Sequence, residues 1–304
     1  MINENFKGHL AAISANIIFG LNISISKEIF AASWMTPFGL TITRVTCSLV
    51  MFWIISLFIP REKVAPKDIL IIGAAGFIGV AVAQTAFTFA LRLISPVTMS
   101  LIASLSPIIV LLLSALLSVE SITIIKAIGV IVGISGAALV ILQPGIDSTS
   151  SIGFLGIALA FLSVTSFSAH LLIIRKMARY FTPITTMKWM YLWVFVFLSP
   201  FGLPELPQQR LFSSEAYLLP FLWLGYTVVF SSIIAFFLMP LALKRIKATT
   251  VSMYNNIQPI AASTAAIIVG QDVFSCDKPL ALILIVTGVF LVTRRETVTR
   301  IKIL

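Results

Sequence analysis

The sequence predicts an all-α integral membrane protein of ten transmembrane helices, built as two inverted five-helix repeats. Three observations carry that expectation. Of 304 residues 59% are hydrophobic and 11% charged, with mean hydropathy +1.08. A soluble fold so composed lacks the polar residues to cover its surface, so a bilayer must cover it. Apolar runs of about 20 residues, the length a helix needs to cross hydrocarbon, alternate with polar punctuation. Finally, the stretch Ala90 to Val140 recurs without a gap at Ala242 to Val292.

A shift of 152 pairs Arg92 with Lys244, Ser100 with Ser252, Pro107 with Pro259, Glu120 with Asp272, Lys126 with Lys278 and Gly136 with Gly288. Identities are few, but they include both helix-modifying prolines, and the shift also aligns the charged punctuation between apolar runs. Such self-similarity outranks any local pattern in choosing an architecture.

Taken in order, the spans fall near 9–29, 36–59, 69–90, 95–118, 122–142, 152–174, 183–201, 217–241, 248–269 and 279–293. The first carries Ser14, Asn16 and Asn22 and completes the count, which argues against a cleavable signal peptide. Connections are short. Pro204 to Glu215 is the longest polar interruption, and Gln143 to Ser151 links the halves.

The net charge of +10 suggests nucleic acid in a soluble protein. Here the basic residues sit between apolar spans, where anionic lipid headgroups attract them, and no nucleic-acid partner is expected. With the amino terminus cytoplasmic, fifteen basic residues fall on the inner side: Lys7, Arg61, Lys63, Lys67, Lys126, Arg175, Lys176, Arg179, Lys244, Arg245, Lys247, Arg294, Arg295, Arg300 and Lys302. Only Lys27, Arg92, Arg210 and Lys278 fall outside, so both termini are predicted cytoplasmic, in a cell (inner) membrane. Because the repeat shifts five helices along, an odd number, the halves enter the membrane in opposite senses. Inverted repeats of this kind underlie many alternating-access transporters, with the solute site near the midplane between halves.

The segments "FALRLISPVTMSLIASLSPIIVLLLSALLSVESITIIKAIGVIVGISGAALVIL" and "LALKRIKATTVSMYNNIQPIAASTAAIIVGQDVFSCDKPLALILIVTGVFLV" resemble the repeat of the drug/metabolite transporter superfamily, the ten-helix exporters with two EamA-type domains. "FGLNISISK" in the first span and Arg44 in the second fit the same pattern, so the resemblance covers nearly the whole chain. It departs at Gly270-Gln271-Asp272, where Gly-Glu is commoner. The resemblance implies one EamA-type repeat over 1–145, a second over 146–304, and efflux of a small organic solute such as an amino acid, nucleoside or related metabolite. It does not specify which.

All eleven acidic residues lie at or beyond span ends, so no carboxylate marks a midplane site. Glu120 and Asp272 stand just before the next helix, where a carboxylate suits free amides and the positive end of the dipole. Arg44 lies about eight residues inside the second span, a costly depth for a guanidinium. Two roles stand open for it, bidentate binding of a carboxylate or phosphate, and hydrogen bonding to helix ends or snorkelling. His170 in the sixth span either carries a proton, leaving proton coupling open, or is merely hydrogen-bonded. Lys188 reads as a snorkelling headgroup contact, and Trp189 and Trp193 as interfacial belt aromatics.

Helical spacing gives the sharper expectation. Ser252, Asn255, Asn256, Pro259 and Ser263 fall at i, i+3, i+4, i+7 and i+11, a single polar stripe, echoed by Ser100, Ser104, Pro107 and Ser114. Such stripes should face protein or water, with Asn255 and Asn256 pointing into a cavity beside Tyr254. Gln84, Thr85 and Thr88, and Tyr226, Ser231 and Ser232, are further lining candidates. Pro107 and Pro259 are hinge candidates, because each leaves a carbonyl free and permits a bend.

The function expected is therefore carriage of a small solute. A membrane enzyme is disfavoured, since two histidines and peripheral acids supply neither a nucleophile with its base nor a set of metal ligands. No cofactor is implied, and Cys47 and Cys276 form neither a disulfide framework nor a metal spacing. A channel or structural membrane protein is the alternative, although no filter-like ring is legible.

Overall fold

The computed structural model describes residues 4–117, 123–141, 151–213, 217–270 and 277–293. Among the described residues there is no strand, and ten helical segments follow the predicted spans. They are α1 (Glu4–Ala31), α2 (Pro37–Leu57), α3 (Pro66–Leu93), α4 (Pro96–Leu116), α5 (Ile124–Ile141), α6 (Ser151–Met177), α7 (Pro183–Gly202), α8 (Leu218–Leu243), α9 (248–268) and α10 (Asp277–Thr293). Seven segments are long and apolar enough to cross a membrane, while α5 and α10 hold the shorter apolar helices Ile124–Gly136 and Leu282–Leu291. The remaining one, α9, is interrupted at Tyr254–Asn256. The boundary at 145/146, Glu120, Asp147, Asp272, Cys276 and the basic residues beyond 293 lie outside the described residues.

The helix starts follow from local chemistry. Proline opens α2, α3, α4 and α7, where its missing N–H costs nothing. Thr36, Ser95 and Thr182 cap α2, α4 and α7 by accepting from the amides of Gly39, Thr98 and Thr185. The caps of α2 and α7 are gripped reciprocally from the opposite half. Glu62, after α2, accepts from the Thr182 amide at 3.1–3.2 Å and from its hydroxyl at 3.1 Å. Gln209, after α7, accepts from the Thr36 amide at 2.7 Å, while Glu205 accepts from the Thr36 hydroxyl at 2.8 Å.

Helix interruptions recur with the repeat. The third helix of each half is widened into a π-helical stretch, at Phe77–Val82 and Tyr226–Ala235. The fourth helix of each half breaks just before its proline, between Pro96–Ala103 and Ser106–Leu116 in α4 and at Tyr254–Asn256 in α9. Pro107 and Pro259 have no N–H to offer the carbonyls of Ala103 and Asn255, four residues earlier, so each turn tightens instead.

Packing is equally reciprocal. In each half the first helix packs against the third and fourth helices of the other, α1 on α8 and α9, and α6 on α3 and α4. The second helices pair, α2 with α7, and α5 pairs with α10 at one edge. That last contact depends on glycine, since a Cβ on Gly288 would stand 2.6 Å from the Gly129 carbonyl oxygen and from the Gly133 nitrogen. Large apolar side chains such as Leu70, Leu112, Phe154, Val229 and Ile260 remain exposed around the bundle, as a lipid-facing surface requires.

Candidate functional site

Between the halves lies a cavity of about 70 Å3, partly open to solvent. As it stands that is room for a few waters, so admitting a solute requires its walls to part. Seven helices line it: α1 through Phe19, Asn22 and Ile23, α2 through Arg44, α3 through Ala83, Gln84 and Phe87, and α4 through Met99, Ala103 and Ser106. From the second half come Ser163, Val164 and Phe167 of α6, Ser231 of α8, and Asn255 and Gln258 of α9. Under the shift of 152, Ala103 corresponds to Asn255 and Ser106 to Gln258. Equivalent positions of the two broken helices therefore meet in one space.

Arg44 lies at the cavity wall, 4% exposed. Its Nε donates to Ser232 Oγ at 2.7 Å and its Nη2 to Ser231 Oγ at 3.1 Å. The π-helical stretch of α8 makes this possible, because its wider turn lets Ser232 donate to the Thr227 carbonyl five residues back at 2.9 Å while Tyr191 donates to the Ser232 carbonyl at 2.9 Å. Arg44 Nη1 is buried without a protein partner. No ion pair among the described residues involves it, so both serines orient the guanidinium without neutralising it. A second, smaller cavity of about 10 Å3 shares Arg44 and Gln84 and is closed by Tyr191, Ser232 and Phe236.

The amides divide into held and unheld groups. Gln258 Nε2 donates to Asn16 Oδ1 at 2.7 Å, and Asn16 Nδ2 donates to the Ala12 carbonyl at 2.8 Å, which clamps α9 to α1. Gly20 makes the approach possible, since a Cβ there would lie 2.7 Å from Ala261 Cβ and 2.9 Å from the Gln258 carbonyl oxygen. By contrast, Asn22 Oδ1 and Asn255 Oδ1 are buried on the cavity wall without protein partners.

The structure distributes the sequence candidates unevenly. Arg44, Gln84 and Asn255 share the main cavity, and Ser232 lines the smaller one. Ser104 is fully buried and donates to the Leu101 carbonyl at 2.7 Å, one step from the wall, where Ala103 and Ser106 stand instead. Tyr226 donates to the Ile18 carbonyl at 3.2 Å and stacks on Phe230, away from the cavity. His170 is buried with Nδ1 2.9 Å from the Ala75 carbonyl oxygen, stacked beneath Phe167 and against the bare backbone of Gly79.

The expected stripe on α9 is corrected. The tight 3-10 turn at Tyr254–Asn256 advances the helix faster than an α-helix, about 120° per residue against 100°. Asn256 therefore leaves the wall and Gln258 enters it, giving a pair at i and i+3. Tyr254 is not beside the asparagine in the cavity, because its hydroxyl lies 2.7 Å from His9 Nδ1 near the start of α1. Sequence reasoning also missed Phe19, Phe87 and Phe167, although Phe87 and Phe167 stand among small polar residues, in Gln84-Thr85-Ala86-Phe87-Thr88 and Thr165-Ser166-Phe167-Ser168. Among the described residues no three His, Cys, Asp or Glu side chains gather to hold a metal.

One end of the cavity is closed in layers. Phe19, Phe167 and Phe236 meet edge to face with ring centroids 5.5–6.3 Å apart, forming a floor. Beyond it lie the His9–Tyr254 contact and the Arg245 Nε–Glu4 Oε2 pair at 2.9 Å, which tie the start of α1 to the α8–α9 connection. Arg44, Gln84, Phe87 and Met99 lie toward the opposite end, nearer the α1–α2 and α3–α4 connections.

Two segments of the chain, 6–142 and 154–294, each match the model of the EamA-like transporter family. The chain belongs to the EamA-like transporter family. It is a multi-pass membrane protein of that family, with two EamA repeats, which fit an inverted-repeat membrane fold. No curated protein matches it. A solved crystal structure is similar over 92% of this chain and 98% of its own, at TM-score 0.62 and 20% identity, a likeness of fold alone.

Proposed function

We propose that this EamA-family protein carries a small organic solute across the cell (inner) membrane by alternating access, in the direction of efflux, with both termini cytoplasmic. The two repeats would divide at 145/146. The observation that carries the reading is a cavity between the halves at which equivalent positions of both broken helices, Ala103 with Asn255 and Ser106 with Gln258, meet. Floor and latch residues close one end of that cavity while its other end is free of them. Rocking the halves about such a site exchanges the closed end for the open one, and Pro107 and Pro259 supply the bends. His170 lies behind Phe167, so the reading requires no proton at that ring.

The test is counterflow in proteoliposomes together with growth of overproducing cells under toxic amino acids, nucleosides, amines and dyes. A saturable, counterflow-competent solute class that also becomes less toxic to overproducing cells supports an exporter. Conductance without counterflow would instead identify a channel.

A further inference from the structure

We propose that the groove between α2 and α7, where Lys188 lies over Trp53 and Trp189, binds the headgroup of an anionic phospholipid. The groove lies outside both cavities, so the inference does not depend on what the protein carries.

The three side chains stand at the depth where headgroups meet hydrocarbon. Trp53 lies four residues before the end of α2 and Lys188 five residues after the start of α7, each about 6–8 Å along its helix axis. The two helix ends share one level, because Glu62, just after α2, caps α7 through Thr182. Indoles concentrate in that interfacial zone. These two come from opposite halves and meet edge to face with centroids 5.8 Å apart. Lys188 Nζ stands over both, 5.4 Å from the centroid of Trp53 and 5.7 Å from that of Trp189. A lysine that only snorkels reaches along its own helix toward water, whereas Lys188 crosses to a ring of the neighbouring helix.

The rings orient the ammonium without neutralising it. No ion pair among the described residues involves Lys188, and none of its three N–H donors meets a protein acceptor there. The indole N–H groups of Trp53 and Trp189 likewise lack a protein acceptor among the described residues. On the adjoining α2–α3 connection the exposed Arg61, Lys63 and Lys67 outnumber Glu62 and Asp68, and Glu62 is already committed to Thr182. A phosphate arriving here meets uncompensated positive charge, and the indoles donate to its oxygens or to the neighbouring ester. Trp53 is 38% exposed, and Val50 and Leu57, three residues before it and four after it on the same face of α2, are exposed too. The headgroup site therefore continues into an apolar strip along which an acyl chain can lie.

The tryptophans are their own reporters. In phosphatidylcholine vesicles holding the purified full chain, phosphatidylglycerol brominated on its acyl chains should quench tryptophan fluorescence at about fivefold lower mole fraction than brominated phosphatidylcholine. Lys188→Arg should keep that preference and Lys188→Gln should remove most of it. Lys67→Gln, which deletes an exposed charge on the same side of the bundle, should leave it in place. Soluble glycerol phosphate should not reverse the quenching. Equal quenching by the two lipids in the wild-type protein, a preference undiminished in Lys188→Gln, or one lost as fully in Lys67→Gln overturns the proposal. Reversal by glycerol phosphate overturns it as well, by making the ligand a free phosphate. The wild-type comparison needs no variant, so misfolding cannot hide the answer.

Discussion

Individual residues show how narrowly the site is built. Gly79 has no room for a side chain, because a Cβ there would lie 2.1 Å from His170 Cγ and 2.2 Å from its Nδ1. The ring cannot retreat, being stacked on Phe167 and held at the Ala75 carbonyl. Gly79→Ala should therefore destabilise the fold by about 1–3 kcal/mol, the usual cost of overpacking, read as a lower midpoint of thermal unfolding in detergent. An unchanged midpoint would mean that α3 and α6 are looser than this contact implies. Gln258→Leu acts differently. It strands Asn16 Oδ1 in a buried place and should cost about 1–3 kcal/mol, whereas Gln258→Glu, which can still bond if protonated, should lose less at low pH than at high pH.

At the scale of elements, the reciprocal caps make a testable electrostatic statement. Burial pushes the Glu62 carboxyl up, but hydrogen bonds from Thr185 and Thr182 and the nearby Lys244 outweigh it and hold its pKa below the ordinary 4.5. A depressed folded-state value means that the carboxylate's contribution is present above the ordinary pKa and is lost as pH falls through the folded one. Glu62→Gln should accordingly lower stability at neutral pH and flatten the acid side of the stability profile, measured as unfolding midpoint between pH 3 and 7. A parallel profile would assign the Thr182 cap to its hydroxyl alone. The broken helices give a second statement. Pro107→Ala and Pro259→Ala restore a donor to the Ala103 and Asn255 carbonyls, so α4 and α9 should straighten and counterflow should slow without loss of folded protein. Equal rates in both variants would remove the prolines from the conformational step. Both prolines were legible from sequence, as were the helix order and the repeat. The face of α9 was not, because a 3-10 turn changes the angular period midway, and hydrophobic periodicity assumes one period throughout. The Glu62–Thr182 and Gln209–Thr36 contacts were invisible for another reason, since a capping partner 120 or 173 residues away leaves no local pattern.

The whole molecule turns on which end of the cavity is closed. Arg44, Gln84 and Asn255 were readable as a group because polar side chains in an apolar span must meet protein or water. Tyr254 was misassigned to the cavity because sequence cannot show that the start of α1 reaches the α8–α9 connection. There His9 and Glu4 engage Tyr254 and Arg245, and a Cβ on Gly8 would stand 2.8 Å from Arg245 Cβ. In the proposed orientation this end faces the cytoplasm, so a reporter fused after Leu304 should be cytoplasmic and one inserted near Asp147 external. If the closed end is a latch for alternating access, weakening it must expose the cavity from that side. Tyr254→Phe removes the hydroxyl that meets His9, and Glu4→Gln weakens the pair with Arg245, neither touching the cavity wall. With Cys47 and Cys276 replaced and a single cysteine at Ser163, a membrane-impermeant maleimide applied to inside-out vesicles should label the latch variants several-fold faster than the parent. Labelling from the opposite side should slow in step, because one population supplies both. Equal labelling rates in parent and variants would show that the contacts at this end fasten the fold and take no part in opening it.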